Sequence, residues 1–219
     1  ICDGDSIAVL LTSPTIPTKE IRFDYTVTVP NGVAVIPDNE PNLPKGTVLR
    51  NRIYNSTDSF KIVRFIISPH LWNEGSNETK CTGENDTVCI WVEPTVKIIA
   101  TPSMDTICNG DTLNVRISSP SVPTHDLEFR YTTEVPAGVT VDPPTGSGLD
   151  TTDRLTNTIV NNTDHWQQVK FIITPYTVNN NGEESCPGIS INVLVFVEPT
   201  TNVDASPELD TICDGDLTN

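Results

Sequence analysis

Six cysteines stand in a chain of 219 residues, and their thiols have the clearest chemistry the sequence offers. Such a density points to disulfides and an oxidising, extracellular setting. Zinc does not fit. Cys81 and Cys89 are too far apart for a zinc knuckle, and no histidine pair lies near them. Cys2, Cys108 and Cys213 each follow an isoleucine and precede x-Gly-Asp, while Cys81 and Cys186 each precede the last strand of a repeat, and Cys89 has no counterpart. Position within the repeat suggests the pairs Cys2–Cys81 and Cys108–Cys186. Sandwich topology objects, because the corner before the second strand and the loop before the last strand lie at opposite ends. An eight-residue strand separates those ends by roughly 26 Å, and a disulfide needs Cα atoms about 5.5–6 Å apart. The alternative is a bond across domains, Cys2–Cys186. Both pairings stand on the sequence.

The same corner carries carboxylates. Asp3 and Asp5, and again Asp214 and Asp216, flank a glycine and offer oxygen ligands of the kind calcium takes. They lack the longer ligand series of a calcium loop, and a tight turn with glycine at positive φ accounts for them as well. Trp72 is expected in a polar loop, His70-Leu71-Trp72-Asn73-Glu74, with no aromatic counterpart in the second repeat. It is a candidate contact for a sugar or a neighbouring domain, or a cap on its own sandwich end. His70, His125 and His165 stand apart from any nucleophile motif, and neither Gly-x-Ser-x-Gly nor His-Glu-x-x-His occurs. The expectation is a chain that is not an enzyme, with no catalytic residue, no cofactor, and calcium as the sole candidate metal.

The elements that position these residues are written twice. The motif cysteine recurs at 2, 108 and 213, intervals of 106 and 105 residues, which is the size of a small domain. Ile7, Val9 and Leu11 match Leu113, Val115 and Ile117. Ile21, Phe23, Tyr25, Val27 and Val29 match Leu127, Phe129, Tyr131, Thr133 and Val135. Both sets alternate with other residues, as half-buried strands require. Short strands follow at 33–36 and 139–141, stopped by Pro37 and Pro143. Leu49, Asn51 and Ile53 match Leu155, Asn157 and Ile159. Val63-Arg64-Phe65-Ile66-Ile67 matches Val169-Lys170-Phe171-Ile172-Ile173, and Pro69 and Pro175 are expected to close these strands. The last strands fall at 88–92 and 191–197, each ending in Val-Glu-Pro-Thr. Residues 96–100 and 202–205 precede the later corners and read as the first strand of the following repeat.

This reading gives seven strands per repeat and an all-β fold: tandem seven-stranded β-sandwiches of immunoglobulin type. Residues 1–94 form a repeat lacking its first strand, 95–199 a complete one, and 200–219 the first strand and turn of a third. The sequence reads as a window on a longer array, with short proline-containing joints that keep the rod semi-rigid.

The formal net charge of −16 and the pI near 4.3 disfavour nucleic acid and anionic membrane surfaces. No apolar run is long enough for a membrane span. The expected partners are neighbouring repeats of the same chain, with surface glycans or other cell-surface proteins beyond them.

The order Pro-Thr-Val, Ile-Cys-x-Gly-Asp, Phe-x-Tyr, Phe-Ile-Ile-x-Pro, Cys-x-Gly and Val-Glu-Pro resembles the PKD-like and other immunoglobulin-like repeats of very large surface proteins in gliding and host-associated bacteria. The resemblance covers the whole chain. It implies an extracellular stalk or spacer in surface attachment or gliding, often bearing glycans or calcium. It also lends meaning to Asp-Thr/Ser-aliphatic triplets, which look like O-glycan acceptors of that bacterial group, at Ser6, Thr87, Thr106, Thr112 and Thr211. Asp-Thr turn chemistry at a strand mouth explains the same triplets. Two rival functions remain: a fibre subunit that donates residues 200–211 to the next molecule, and a carbohydrate-binding accessory module of an extracellular enzyme. The sequons at Asn55 and Asn161 share one repeat position, and others lie at Asn77 and Asn85. They read as N-glycan acceptors in a eukaryotic secreted protein and as polar turns in a bacterial one.

Overall fold

A computed structural model describes residues 1–73, 75, 78–204 and 206. The described residues form strands and connections without a helix. In the N-terminal half these are β1 (Val9–Leu10), β2 (Glu20–Thr28), β3 (Val33–Ile36), β4 (Asn39–Pro44), β5 (Val48–Leu49), β6 (Arg52–Asn55), β7 (Lys61–Asn73), β8 (Glu78–Thr82) and β9 (Asp86–Val92). The C-terminal half adds β10 (Ile99–Thr101), β11 (Met104–Ile107), β12 (Val115–Ser118), β13 (Asp126–Glu134), β14 (Val139–Asp142), β15 (Thr145–Leu149), β16 (Arg154–Leu155), β17 (Thr158–Asn161), β18 (Gln167–Val178), β19 (Glu184–Ser185) and β20 (Ile191–Val197).

Each half is an immunoglobulin-like sandwich with its own core. One sheet of the first runs β4-β2-β7, with β9 and β8 sharing the far edge of β7. Its counterpart in the second runs β11-β20-β18-β13-β15, with β19 beside β18. The facing layers are the pairs β1-β5 and β3-β6 in the first, and β10-β12-β16 and β14-β17 in the second. The alternating residues read from sequence point inward. Phe23, Tyr25, Leu49, Ile53, Val63 and Phe65 are buried in one core, and Phe129, Tyr131, Leu155, Ile159, Val169 and Phe171 in the other. Burying such side chains contributes roughly 1.5–3 kcal/mol each.

Asn51 and Asn157 are polar residues held at matching places in these cores. Asn51 Nδ2 donates to the Tyr25 hydroxyl at 2.5 Å and to the Pro37 carbonyl at 2.5 Å. Asn157 repeats this with Tyr131 at 2.7 Å and Pro143 at 2.6 Å. Each asparagine thereby ties a core tyrosine to the corner that follows β3 or β14. Burial pushes the Tyr25 phenol above its usual pKa, against the opposing effect of the Asn51 bond.

Three expectations need correcting. The strand count exceeds seven: β4 and β15 add an edge strand to each larger sheet, and β8 and β19 extend the far edge. Pro69 and Pro175 do not close their strands, since β7 and β18 run through them to Asn73 and Val178. Each proline sits where the edge partner changes. β9 pairs up to Ile67 and β8 resumes at His70; β20 pairs up to Ile173 and β19 resumes at Thr177. A missing N–H costs nothing in that gap, where the proline carbonyl still accepts from Gly83 or Gly188 at 2.8 Å. Trp72 therefore lies in β7, not in a loop.

The strand that leads into the corner is described in the second half. In the second, β10 joins one layer by pairing with β12, and β11 crosses to pair in parallel with β20. In the first, Ile1 stands at the place of Ile107. Its amino group donates to the Trp91 carbonyl at 2.9 Å, and its carbonyl accepts from Glu93 N at 2.9 Å, as the Ile107 carbonyl does from Glu198 N.

Candidate functional site

The chemistry read from the sequence gathers at the joint between the sandwiches. Cys2, on the corner before β1, is bonded to Cys186, on the loop before β20, with Cα atoms 5.2 Å apart. The within-repeat pairs Cys2–Cys81 and Cys108–Cys186 are not formed. Cys81, Cys89 and Cys108 are free and exposed, and Cys213 lies outside the described residues. The topological reason is the one anticipated: the corner and the last loop of one repeat occupy opposite ends, so the corner meets the loop of the next repeat.

Several other groups fix this joint. Asp3 is a turn residue whose Oδ1 accepts from Asn55 N at 2.7 Å and whose Oδ2 accepts the Thr95 hydroxyl proton. Glu93, in the Val-Glu-Pro-Thr segment, is only 3% exposed. Its carboxylate accepts from Thr124 N at 2.9 Å and from the Thr124 hydroxyl, and it pairs with His125 Nδ1 at 2.9 Å. A buried carboxylate is tolerated because these donors replace water. The 58–60 turn of the first sandwich lies beside the 121–124 loop of the second. Val122 N donates to the Asp58 carbonyl at 2.7 Å and Phe60 N to the Val122 carbonyl at 3.1 Å. The connecting strand is gripped in turn. Lys97 N donates to Ser121 Oγ at 2.9 Å, and Ser119 Oγ donates to the Lys97 carbonyl at 2.6 Å. Val96 is fully buried, and a Cβ placed on Gly188 would stand 2.0 Å from its carbonyl oxygen, so glycine is the residue that lets these backbones meet.

Asp3 and Asp5, the first pair of calcium candidates, hold the corner and the joint together. Asp5 Oδ2 accepts from Cys2 N at 3.1 Å and closes the corner, while Asp3 serves the joint. Among the described residues no three His, Cys, Asp or Glu side chains converge as a metal site. Asp214 and Asp216 lie outside the described residues, as does Thr211. Ser6, Thr87, Thr106 and Thr112 are exposed, and Asp86 and Asp105 each accept the backbone N–H of the threonine that follows. Asn55 and Asn161 are buried polar turns. Each side-chain amide donates to the carbonyls of the turn and of the last strand (Ser59 and Val92, or His165 and Val197), which leaves no amide free for a glycan. Asn77 lies outside the described residues.

Trp72 is half-buried, with the Arg22 guanidinium 5.0 Å over its ring and the His70 ring 6.2 Å away. One face is thus already covered. Trp91 with Phe60, and Trp166 with Phe196, form ring pairs with centroids 5.4 and 5.7 Å apart on the outer sheet face. Glu93 and its loop partners were missed on the sequence. The available signal was that Val-Glu-Pro-Thr ends both repeats, with its glutamate just outside the hydrophobic strand.

No family model matches the chain, and no curated protein does. Solved structures with related shape include the D0-D1 domain of intimin (10% identity, TM-score 0.26, covering 87% of this chain and 92% of that one). The S-layer protein SbsC, domains 4 and 5, matches at 11% identity and TM-score 0.28, covering 81% and 70%. BT4661, a SusE-like surface-located polysaccharide-binding protein of the Bacteroides thetaiotaomicron heparin utilisation locus, matches at 9% identity and TM-score 0.26, covering 85% and 81%. At these scores the likenesses carry no functional conclusion.

Proposed function

We propose that this chain is a non-catalytic spacer segment of a long extracellular protein of the bacterial surface, built to hold a more distal part away from the cell. The joint carries this reading. A disulfide, a buried carboxylate with three donor contacts, and a backbone bridge all lie between the two sandwiches. Inter-domain surfaces within a chain ordinarily permit motion, so a joint bolted in this way fits a part whose task is to keep a fixed length and direction. The strongly acidic surface suits a chain in which many modules must stay soluble side by side.

Attachment or gliding, in the manner of PKD-like adhesin repeats, is the finer form of this reading. Sugars on Ser6, Thr87, Thr106 and Thr112 would decorate exposed positions of such a stalk, and intact mass of material from the native source tests for them. A glycan array with Trp72→Ala tests sugar binding. Small-angle X-ray scattering tests the spacer itself. The expected result is one extended, narrow distribution of lengths that broadens when the disulfide is reduced. A broad distribution in both redox states would overturn the reading.

A further inference from the structure

The two sandwiches differ at one matched place beside their core tyrosines. In both, the edge strand pairs across an irregular register that sets one residue opposite the tyrosine: Glu40 opposite Tyr25, and Gly146 opposite Tyr131. In the first sandwich the Tyr25 hydroxyl donates to Glu40 Oε2 at 3.3 Å, so the chain supplies its own carboxylate. In the second no side chain takes that place. A Cβ on Gly146 would stand 2.5 Å from Tyr131 Cε1 and 3.1 Å from its hydroxyl oxygen, so the bare glycine lies against the ring edge. The Tyr131 hydroxyl accepts from Asn157 Nδ2 at 2.7 Å. Its own proton has the Pro143 carbonyl at 3.5 Å, too long for a strong hydrogen bond.

Beside this tyrosine the second sandwich has a cavity of ≈ 220 Å³. Buried Tyr131, Leu155 and Asn157 line it together with Pro143, Leu149 and the exposed Arg154. All of these belong to one sandwich, and none is among the residues that form the joint. The Arg154 guanidinium donates to Asn114 Oδ1 at 2.8 Å and has no carboxylate partner among the described residues. Its counterpart in the first sandwich is Val48. The repeat without the internal carboxylate therefore has a cation where the other has an aliphatic side chain. The neighbouring carboxylate of Asp153 is held by its own turn, where Oδ2 accepts from Asp150 N at 2.8 Å. Asn157 Oδ1 is buried without a partner, but so is Asn51 Oδ1 in the first sandwich, where Glu40 is present. An orphan acceptor at this depth is thus compatible with a carboxylate nearby.

We propose that this cavity is a binding site for a compact carboxylate. The ligand's carboxylate takes the place that Glu40 fills in the first sandwich. One oxygen accepts the Tyr131 hydroxyl proton, the group pairs with the Arg154 guanidinium, and the carbon skeleton lies against Pro143, Leu149 and Leu155. A cavity of ≈ 220 Å³ has room for about seven waters at ~30 Å³ each, which suits an acid of one ring or less. Such a group has two sources, a free short-chain acid or a uronic acid unit of a polysaccharide, and the chemistry they share is the carboxylate. The inference goes beyond the spacer reading and does not depend on it.

The test is titration of the isotope-labelled chain with sodium butyrate, sodium glucuronate and glucose, followed by amide NMR. The expected result is saturable shifts at Gly146, Thr156 and Asn157 with both carboxylates, a dissociation constant on the order of 1 mM, and no response to glucose. Arg154→Gln should weaken carboxylate binding about tenfold, and Arg154→Lys, which keeps the charge, about threefold or less. Arg154 is exposed, so both variants keep the fold. Tighter binding of glucuronate assigns the polysaccharide source, tighter binding of butyrate the free acid, and equal affinities mean that the carboxylate alone is read. Each of these supports the site. Glucose bound as well as glucuronate, binding indifferent to Arg154→Gln, shifts confined to other residues, or no saturable shift with either acid would each overturn it.

Discussion

The joint and the two outer ends share their repeat positions, with several residues in common, yet they differ in burial, bonding and backbone approach. Glu93, Pro94 and Val96 are buried at the joint, whereas Glu198 and Thr201 are exposed beyond β20. Cys186 is bonded and its counterpart Cys81 is free. The difference teaches that these groups are neither core residues nor ordinary surface ones. They are interface residues whose environment depends on whether a module sits beside them.

The largest test of that contrast removes the bolt. A disulfide that links residues 184 positions apart should contribute about 5 kcal/mol on the chain-entropy account, less any structure kept in the reduced unfolded chain. Each sandwich keeps its own core, so Cys2→Ser should uncouple them rather than unfold both. Calorimetry should resolve two transitions where the oxidised chain shows one. Cys81→Ser, made at an outer end, should leave the trace unchanged. A matching effect from both substitutions would break the comparison.

Glycine comes next. A Cβ at Gly188 would meet the Val96 carbonyl oxygen at 2.0 Å, whereas at Gly83 the nearest atom is Pro69 Cγ at 3.0 Å. Gly188→Ala must push two backbones apart and should cost about 2–3 kcal/mol. Gly83→Ala displaces one ring edge and should cost less than about 1 kcal/mol. Urea unfolding of each variant reads both.

Much of the framework was legible because each sheet has one wet face and one dry one, so that Ile21, Phe23 and Tyr25, or Val63 and Phe65, alternate visibly with polar neighbours. β4 and β15 were not legible. Their sequences, Asn-Glu-Pro-Asn-Leu-Pro and Thr-Gly-Ser-Gly-Leu, carry little strand preference, and they exist because β2 and β13 offer an unpaired edge. Pro69 and Pro175 misled for a related reason. Whether a proline ends a strand depends on what lies across from its missing N–H, and that partner is a matter of topology. The site divided along the same line. Its cysteines and the Asp-Gly corner were visible as a repeat, but their pairing depends on which ends of two sandwiches meet. Glu93 looked like a surface charge after a strand until its loop partners came from 31 and 32 residues further on.

The glutamates give the third test. Glu93→Ala removes a buried carboxylate and the acceptor of Thr124 N and the Thr124 hydroxyl; Thr124 is itself exposed, so water can take up its donors and the cost should be about 1 kcal/mol. Glu198→Ala removes an exposed carboxylate and should lie within about 0.5 kcal/mol of the parent. Hydrogen exchange at the Thr124 amide locates the effect. Faster exchange there in Glu93→Ala, with Phe129 and Phe171 still protected, would show that the joint has opened and the core has not.

The smallest effect belongs to the ion pair across the joint. Lys97 Nζ lies 2.5 Å from Asp58 Oδ1, but both side chains are about half exposed. Water and salt screen such a pair, and holding two flexible side chains in one geometry costs entropy, so its contribution should be about 0.2–1 kcal/mol. Lys97→Met keeps much of the aliphatic stem and removes the charge. It should lower stability slightly at low ionic strength and not at all in molar salt, while the hydrogen bond from Lys97 N to Ser121 Oγ, made by the backbone, survives. A double-mutant cycle with Asp58→Asn isolates the pair. A coupling energy that persists in high salt would mean that this edge of the joint is drier than its exposure indicates. The division between a buried grip at Glu93 and Val96 and a screened rim at Lys97 would then have to be redrawn.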